Sequence, residues 1–203
     1  MALKELCGDM LTTSKVCKEE IHNPIQQDVS SNGKPRELAD IPPFHGYPCN
    51  YGAFPQVSSA PFNFRVLFDL KLMGILEWTW EDPTTADRET GINGDDDPLD
   101  VCEISTATTP ATCGQIKIVK PLGALVVIDQ GETDWKVIAI DVTDPIVSML
   151  RDIGDVERCL PGLLDSLKNR YRQYKVPEGK GENEIGLGGE LKNQRYAFLC
   201  AAV

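Results

Sequence analysis

Between Gly94 and Ile104 the chain reads GDDDPLDVCEI, with four aspartates in the seven positions from Gly94 to Asp100. Carboxylates so close together repel, which raises their pKa values and opposes folding unless a cation lies among them. Pro98 stiffens the turn and the apolar run that follows reads as a strand, so Asp95, Asp97 and Asp100 are held rather than splayed into water. A solvated acidic turn is the simplest alternative. A calcium-binding EF-hand loop does not fit, because Leu99 takes its fifth position, Asp100 the place of its glycine and Thr106 that of its bidentate glutamate. A hard divalent cation such as Mg²⁺, held by a few carboxylates and completed by water and phosphate oxygens, does fit.

A second acidic segment, DQGETDWK, spans Asp129 to Lys136. Strand alternation puts Glu132, Asp134 and Lys136 on one face and Trp135 and Val137 on the other, so a carboxylate and an ammonium share one space. A hairpin with a cross-strand ion pair accounts for this segment equally well. Lys15, Arg36, Tyr47, Tyr51, Tyr174 and Lys175 add cations and phenols from further along the chain. Singly, each reads as surface charge or core phenol. Together with two carboxylate clusters, they point to a substrate of dense negative charge, bound jointly by metal ions and Lys/Arg donors.

Short β-type runs must position these groups. LDVCEI, QIKIVK, GALVVID and WKVIAIDV are separated by Gly, Pro, Asp and Thr at the spacing of an antiparallel sheet or barrel. PPFHGYPCNYGAFP, from Pro42 to Pro55, is too rich in Pro and Gly for a helix or a central strand. Further on, Asp144 and Pro145 form an N-cap and first-turn pair, and Leu160, Leu163, Leu164, Leu167, Tyr171 and Tyr174 recur at helical spacing until Pro177. This order predicts an α+β fold, mainly β: a small antiparallel β-barrel with flanking α-helices, in a single domain over residues 1–203. Thirty-one acidic against twenty basic residues give a net charge of −11, which argues against nucleic acid or an anionic membrane as partner. No apolar run is long enough to cross a bilayer. Seven scattered cysteines without a C-x-x-C pair predict reduced thiols and a cytoplasmic location.

Six stretches in order, HGYPCNYGAFPQ, WEDP, GDDDPLDVCEI, DQGETDWKVIAID, DVERCLPGLL and YKVPEGKGEN, closely resemble soluble family I inorganic pyrophosphatase of the eukaryotic type. The family signature D-x-D-P-hydrophobic-D is met by Asp95, Asp97, Pro98, Leu99 and Asp100. The resemblance implies an OB-like barrel, a cytoplasmic homodimer and Mg²⁺-dependent hydrolysis of pyrophosphate to two phosphates. It implies Asp95, Asp100 and Asp134 as ligands of a first Mg²⁺, Asp129 as a ligand of metals arriving with substrate, and Glu81 as a carboxylate behind them. By the same resemblance Asp97 is the general base. It further implies that Arg36, Tyr51, Lys136, Tyr174 and Lys175 hold the phosphoryl groups, with Lys15 and Tyr47 lining the site.

The chain departs from the family in four places. It begins near TTSKVCKEE, so the family's first strands and one active-site glutamate are expected to be missing. Cys17 stands where the family has glutamate, and a thiol is a poor substitute for a carboxylate facing Mg²⁺. An inserted segment, 57–78, alternates Phe64, Val66, Phe68, Leu70 and Leu72 with Arg65, Asp69 and Lys71 as a strand would. The chain stops at Val203, and GENEIGLGGELKNQRYAF has lost an aromatic pair. These departures leave an alternative open: a non-catalytic paralogue or splice variant that binds metal and phosphate or dimerises with the active enzyme.

Overall fold

The computed structural model describes residues 47–54, 81, 83–97, 99–106 and 117–200. Lys15, Cys17, Arg36, Pro98 and the inserted segment 57–78 lie outside the described residues, as does the segment 1–46 on which the expected loss of strands falls. One sheet gathers six strands: β1 (Asn50–Ala53), β2 (Asp100–Glu103), β3 (Val119–Asp129), β4 (Glu132–Asp141), β5 (Glu184–Ile185) and β6 (Lys192–Asn193). Helices α1 (Val156–Cys159), α2 (Leu163–Gln173) and α3 (Gln194–Cys200) accompany it. The strand order is β1-β2-β4-β3-β5, with β6 also on β3.

The α+β, mainly β expectation holds, with two differences. The sheet is mixed rather than antiparallel throughout, because β2 and β4 run parallel. A two-residue turn makes β4 antiparallel to β3, and β4 inserts between β2 and β3, which themselves run in opposite directions. Among the described residues the sheet is also open rather than closed into a barrel.

Val119 and Lys120, the end of QIKIVK, and GALVVID, read as separate runs, belong to one long strand, with Pro121 at a bulge that shifts the β3–β4 register between Pro121 and Gly123. A bulge lets Pro, which lacks an N–H, sit inside a strand, and it reverses the alternation of side chains beyond it. Lys120 and Leu122 therefore share a face with Leu125, Val127 and Asp129. Without the extra residue Asp129 would face the other side. The turn that follows has Gln130 and Gly131 both at positive φ, the backbone of a type I′ hairpin.

Each face of the sheet packs an apolar cluster. Cys102, Leu122, Leu125, Val127, Ile138 and Ile140 meet Leu164, Leu167 and Tyr171 of α2 on one side. Leu99, Val101, Ala124, Val126, Trp135, Val137 and Ala139 meet Ala197 of α3 on the other. The middle of β3 and β4 is thus largely buried on both faces, and the polar groups come from the strand ends and from Lys136 within β4. Buried Glu103 ties β1, β2 and β4 together by accepting from Asn50, Lys117 and the Asp141 backbone N–H.

The helical pattern appears as α2, which buries Leu164, Leu167, Arg170 and Tyr171 and stops before Pro177. Asn183 closes its end, donating from its backbone to the Arg172 carbonyl and from its side chain to that of Tyr171. Asp144 and Pro145 open a short 3-10 turn, Val147–Met149, rather than a full helix. The Asp144 carboxylate accepts from the Ile146 backbone N–H and also from Ser105 and Thr106, which spends it on a loop clamp.

Two consequences are measurable. A Cβ at Gly123 would strike the Lys192 carbonyl oxygen and come within 2.7 Å of Ile153 Cβ, so Gly123→Ala is expected to cost about 1–3 kcal/mol in thermal unfolding. Burial draws the Asp144 carboxyl upward, but hydrogen bonds from Ile146, Ser105 and Thr106 outweigh it and hold the pKa below the usual value. The stabilisation is therefore complete above the unfolded value, about pH 4, and lost as pH falls through the lower folded one. Asp144→Asn is expected to flatten that acid limb in urea titrations, and an unchanged limb would refute the clamp.

Candidate metal and phosphate site

At the open end of the α2-facing side, the polar ends of β1 to β4 converge. The parallel register sets Asp100 beside Lys136, and alternation along β4 places Asp134 on the same face. The Lys136 ammonium bridges both carboxylates, and Tyr51, from β1, donates its hydroxyl to the same Asp100 oxygen that Lys136 takes. Burial pulls the lysine pKa down, yet Asp100 and Asp134 outweigh it and keep it well above normal, so the ammonium stays charged. The rings of Tyr51 and Tyr171 flank it at 5.9 and 5.6 Å.

One strand away, Asp129 at the end of β3 receives the Lys175 ammonium on both oxygens and the Tyr174 hydroxyl at 2.6 Å. Burial raises the Asp129 pKa, but these two donors and the nearby Lys136 prevail and hold it low. Tyr174 and Lys175 follow α2 directly, so the Asn183 cap fixes the point from which both side chains extend.

The acidic turn closes the site from above. Asp96 takes a left-handed backbone, and the Asp97 N–H donates to the Asp95 side chain at 2.9 Å. The Glu81 N–H donates to the Asp97 carbonyl, which draws Glu81 under the turn. Glu81 then accepts the Trp135 backbone N–H at 2.5 Å through one oxygen. The loop leading to the turn is fastened to β4 by Trp135 Nε1 on Asp87 and by the Thr133 N–H on Asn93.

Glu81, Asp95 and Asp134 each offer a carboxylate oxygen within 4.8 Å of the others. Two buried oxygens nearby, Glu81 Oε2 and Asp100 Oδ1, have no hydrogen-bond partner among the described residues. Such an arrangement is costly unless a cation completes it. Burial, together with repulsion from Asp100 and Asp95 and against the attraction of Lys136, pushes Asp134 up to about 7. Burial and repulsion from Asp134 and Asp95 likewise raise Glu81. The all-oxygen donor set, rich in carboxylate, fits a hard divalent cation.

The structure therefore brings together Tyr47, Tyr51, Asp95, Asp100, Asp129, Asp134, Lys136, Tyr174 and Lys175, with Asp97 on the exposed turn at the rim. Glu81, expected to stand behind the ligands, forms the three-carboxylate cluster with Asp95 and Asp134, whereas one oxygen of Asp100 is committed to Tyr51 and Lys136. Sequence reasoning missed the parts of Asp87 and Tyr171, because a loop aspartate and a helical core tyrosine carry no signal of their own.

The model of the inorganic pyrophosphatase family matches residues 14–199. The chain belongs to that family. Among curated inorganic pyrophosphatases, it is 46% identical over 183 residues to that of Candida albicans and 45% identical to that of Schizosaccharomyces pombe, in each case 90% of this chain and 55% of the relative. It thus spans about half the length of the curated pyrophosphatases it matches. Among solved pyrophosphatases, that of Schistosoma japonicum matches with a TM-score of 0.74 at 42% identity, covering 92% of this chain and 57% of that one. A truncated Trypanosoma cruzi vacuolar soluble pyrophosphatase in complex with PPi matches with a TM-score of 0.69 at 36% identity, covering 92% and 60%.

Removing a carboxylate from the cluster is expected to weaken Mn²⁺ binding by about 10- to 100-fold in calorimetry for both Asp134→Asn and Glu81→Gln. Exposed Glu132→Gln is the control, with no change expected. Because the folded pKa of Asp134 is raised, folding takes up a proton between about pH 4 and 7 and the metal-free chain loses stability as pH rises through that window. Mg²⁺ should therefore raise the melting temperature more at pH 7.5 than at pH 5.5, and equal shifts would count against this cluster as the binding site.

Proposed function

We propose that the chain hydrolyses inorganic pyrophosphate to two phosphates with Mg²⁺ as cofactor. The observation that carries this reading is the carboxylate cluster of Glu81, Asp95 and Asp134, with buried oxygens unpartnered among the described residues, set beside two ammonium groups and several phenols. Such a site offers charge for metal on one side and donors for phosphoryl oxygens on the other. Family membership and the relative solved in complex with PPi support the same substrate.

Asp95, Asp100 and Asp134 hold the first cation, with Glu81 completing their set, and Asp129 takes metal that arrives with substrate. When bound, Mg²⁺ lowers the pKa of water and offsets negative charge on the phosphoryl oxygens. Asp97, exposed at the rim, takes the proton of the attacking water. Lys136 and Lys175 give their ammonium groups to the phosphoryl oxygens, and Tyr51 and Tyr174 donate their hydroxyls. Tyr47 walls the pocket, and Arg36 and Lys15 complete the anion site. The tyrosines suit donation rather than proton transfer, since burial keeps Tyr51 and Tyr174 protonated well beyond neutral pH. The same reading makes the protein one domain over residues 1–203, a homodimer, and a resident of the cytoplasm, where the free Cys49, Cys102 and Cys159 stay reduced.

Phosphate release from pyrophosphate, with and without Mg²⁺, tests the proposal. Release is expected to require Mg²⁺ and to fall by about a hundredfold or more in Asp97→Ala. Folded protein that binds Mn²⁺ yet releases no more phosphate than Asp97→Ala would shift the reading to a non-catalytic member of the family.

A further inference from the structure

Arg170 belongs to no predicted site group and sits on α2 among core residues, yet it carries a full charge at 1% exposure. Its guanidinium lies over the Tyr47 ring, with Cζ 4.9 Å from the centroid. Tyr47 in turn stacks on Tyr51, with centroids 5.0 Å apart and planes 15° from parallel. Tyr51 donates to Asp100 Oδ2, and Asp100 Oδ1 is left buried without a hydrogen-bond partner among the described residues. The four residues form one continuous chain of contacts from the helix to the candidate metal site.

A buried guanidinium has lost most of its hydration, and an aromatic face replaces part of it. The attraction acts both ways: the ring stabilises the cation, and the cation fixes the ring. Tyr171 gives Tyr47 a second, tilted contact at 5.7 Å, so Tyr47 is held between α2 and β1. A ring so held restricts Tyr51 to the plane in which its hydroxyl meets Asp100 Oδ2. With that oxygen occupied, Asp100 Oδ1 is the one left for a cation.

We propose that Arg170 is a positioning residue: through its cation–π contact it sets the Tyr47–Tyr51 stack, which orients Asp100 for the divalent cation. The proposal rests on the metal site described above but does not require that the chain turn over pyrophosphate.

The test is Mn²⁺ binding alone, measured by calorimetry on the full chain, with far-UV circular dichroism to establish that each variant is folded. Arg170→Gln is expected to weaken Mn²⁺ binding about five- to tenfold, less than the roughly thirtyfold that a desolvated cation–π contact is worth because the effect on the cation is indirect, and Arg170→Lys, which keeps the charge but not the planar group, to lose less. Tyr47→Leu should lose a similar amount. The double variant should be no weaker than either single, because both interrupt one path. Unchanged affinity in folded Arg170→Gln, or losses that add in the double variant, would overturn the proposal. Should Arg170→Gln not fold, Tyr47→Leu decides by the same criterion. An unaltered chain that binds Mn²⁺ but releases no phosphate removes the catalytic reading and leaves this one testable, whereas failure to bind Mn²⁺ removes both.

Discussion

The Lys136 ammonium, buried between Asp100 and Asp134, is the constraint on which the rest of the structure turns. Two carboxylates at the end of a sheet buried on both faces could not share that space without a cation between them. One lysine is too little for the whole cluster. Asp95 and Glu81 add further negative charge, and buried oxygens on Glu81 and Asp100 still lack donors among the described residues. The fold thus keeps a local excess of negative charge that weakens it when metal-free and suits it to hold a divalent cation. The apolar clusters on the two faces of the sheet offset this cost.

Three independent devices deliver the groups to one place. The parallel pairing of β2 with β4 sets Asp100 against Lys136. The bulge in β3 reverses side-chain parity and turns Asp129 toward the same face. The Asn183 cap on α2 fixes the point from which Tyr174 and Lys175 reach Asp129. Strands hold Asp100, Asp129 and Asp134, whereas Asp95 and Asp97 ride on a turn that is fastened to β4 through Asp87, Asn93 and Glu81. The strand carboxylates Asp100, Asp129 and Asp134 are buried, Asp95 is half-buried and Asp97 is exposed.

Much of this was legible from residue order. Alternation along DQGETDWK put Asp134 and Lys136 on one face and Trp135 on the other, as found, because side-chain direction in a strand is a local property. Helical spacing located α2 and its end before Pro177 for the same kind of reason. Runs split at Pro121 misled, since only pairing with β4 reveals that the proline sits at a bulge within one strand. Asp144 followed by Pro145 promised a helix start, but Ser105 and Thr106, distant in sequence, compete for its carboxylate.

By itself the sequence determined that carboxylates crowd the ends of two strands, that a cation must accompany them, and which family carries these motifs, because charge density, periodicity and motif order are properties of the chain. Tertiary structure alone decided that Glu81 joins Asp95 and Asp134, that one Asp100 oxygen is taken by Lys136 and Tyr51, and that Arg170 reaches the site through two tyrosine rings. Those facts depend on which strand lies beside which and on where the loops between them return, and no local pattern encodes contacts between residues distant in the chain.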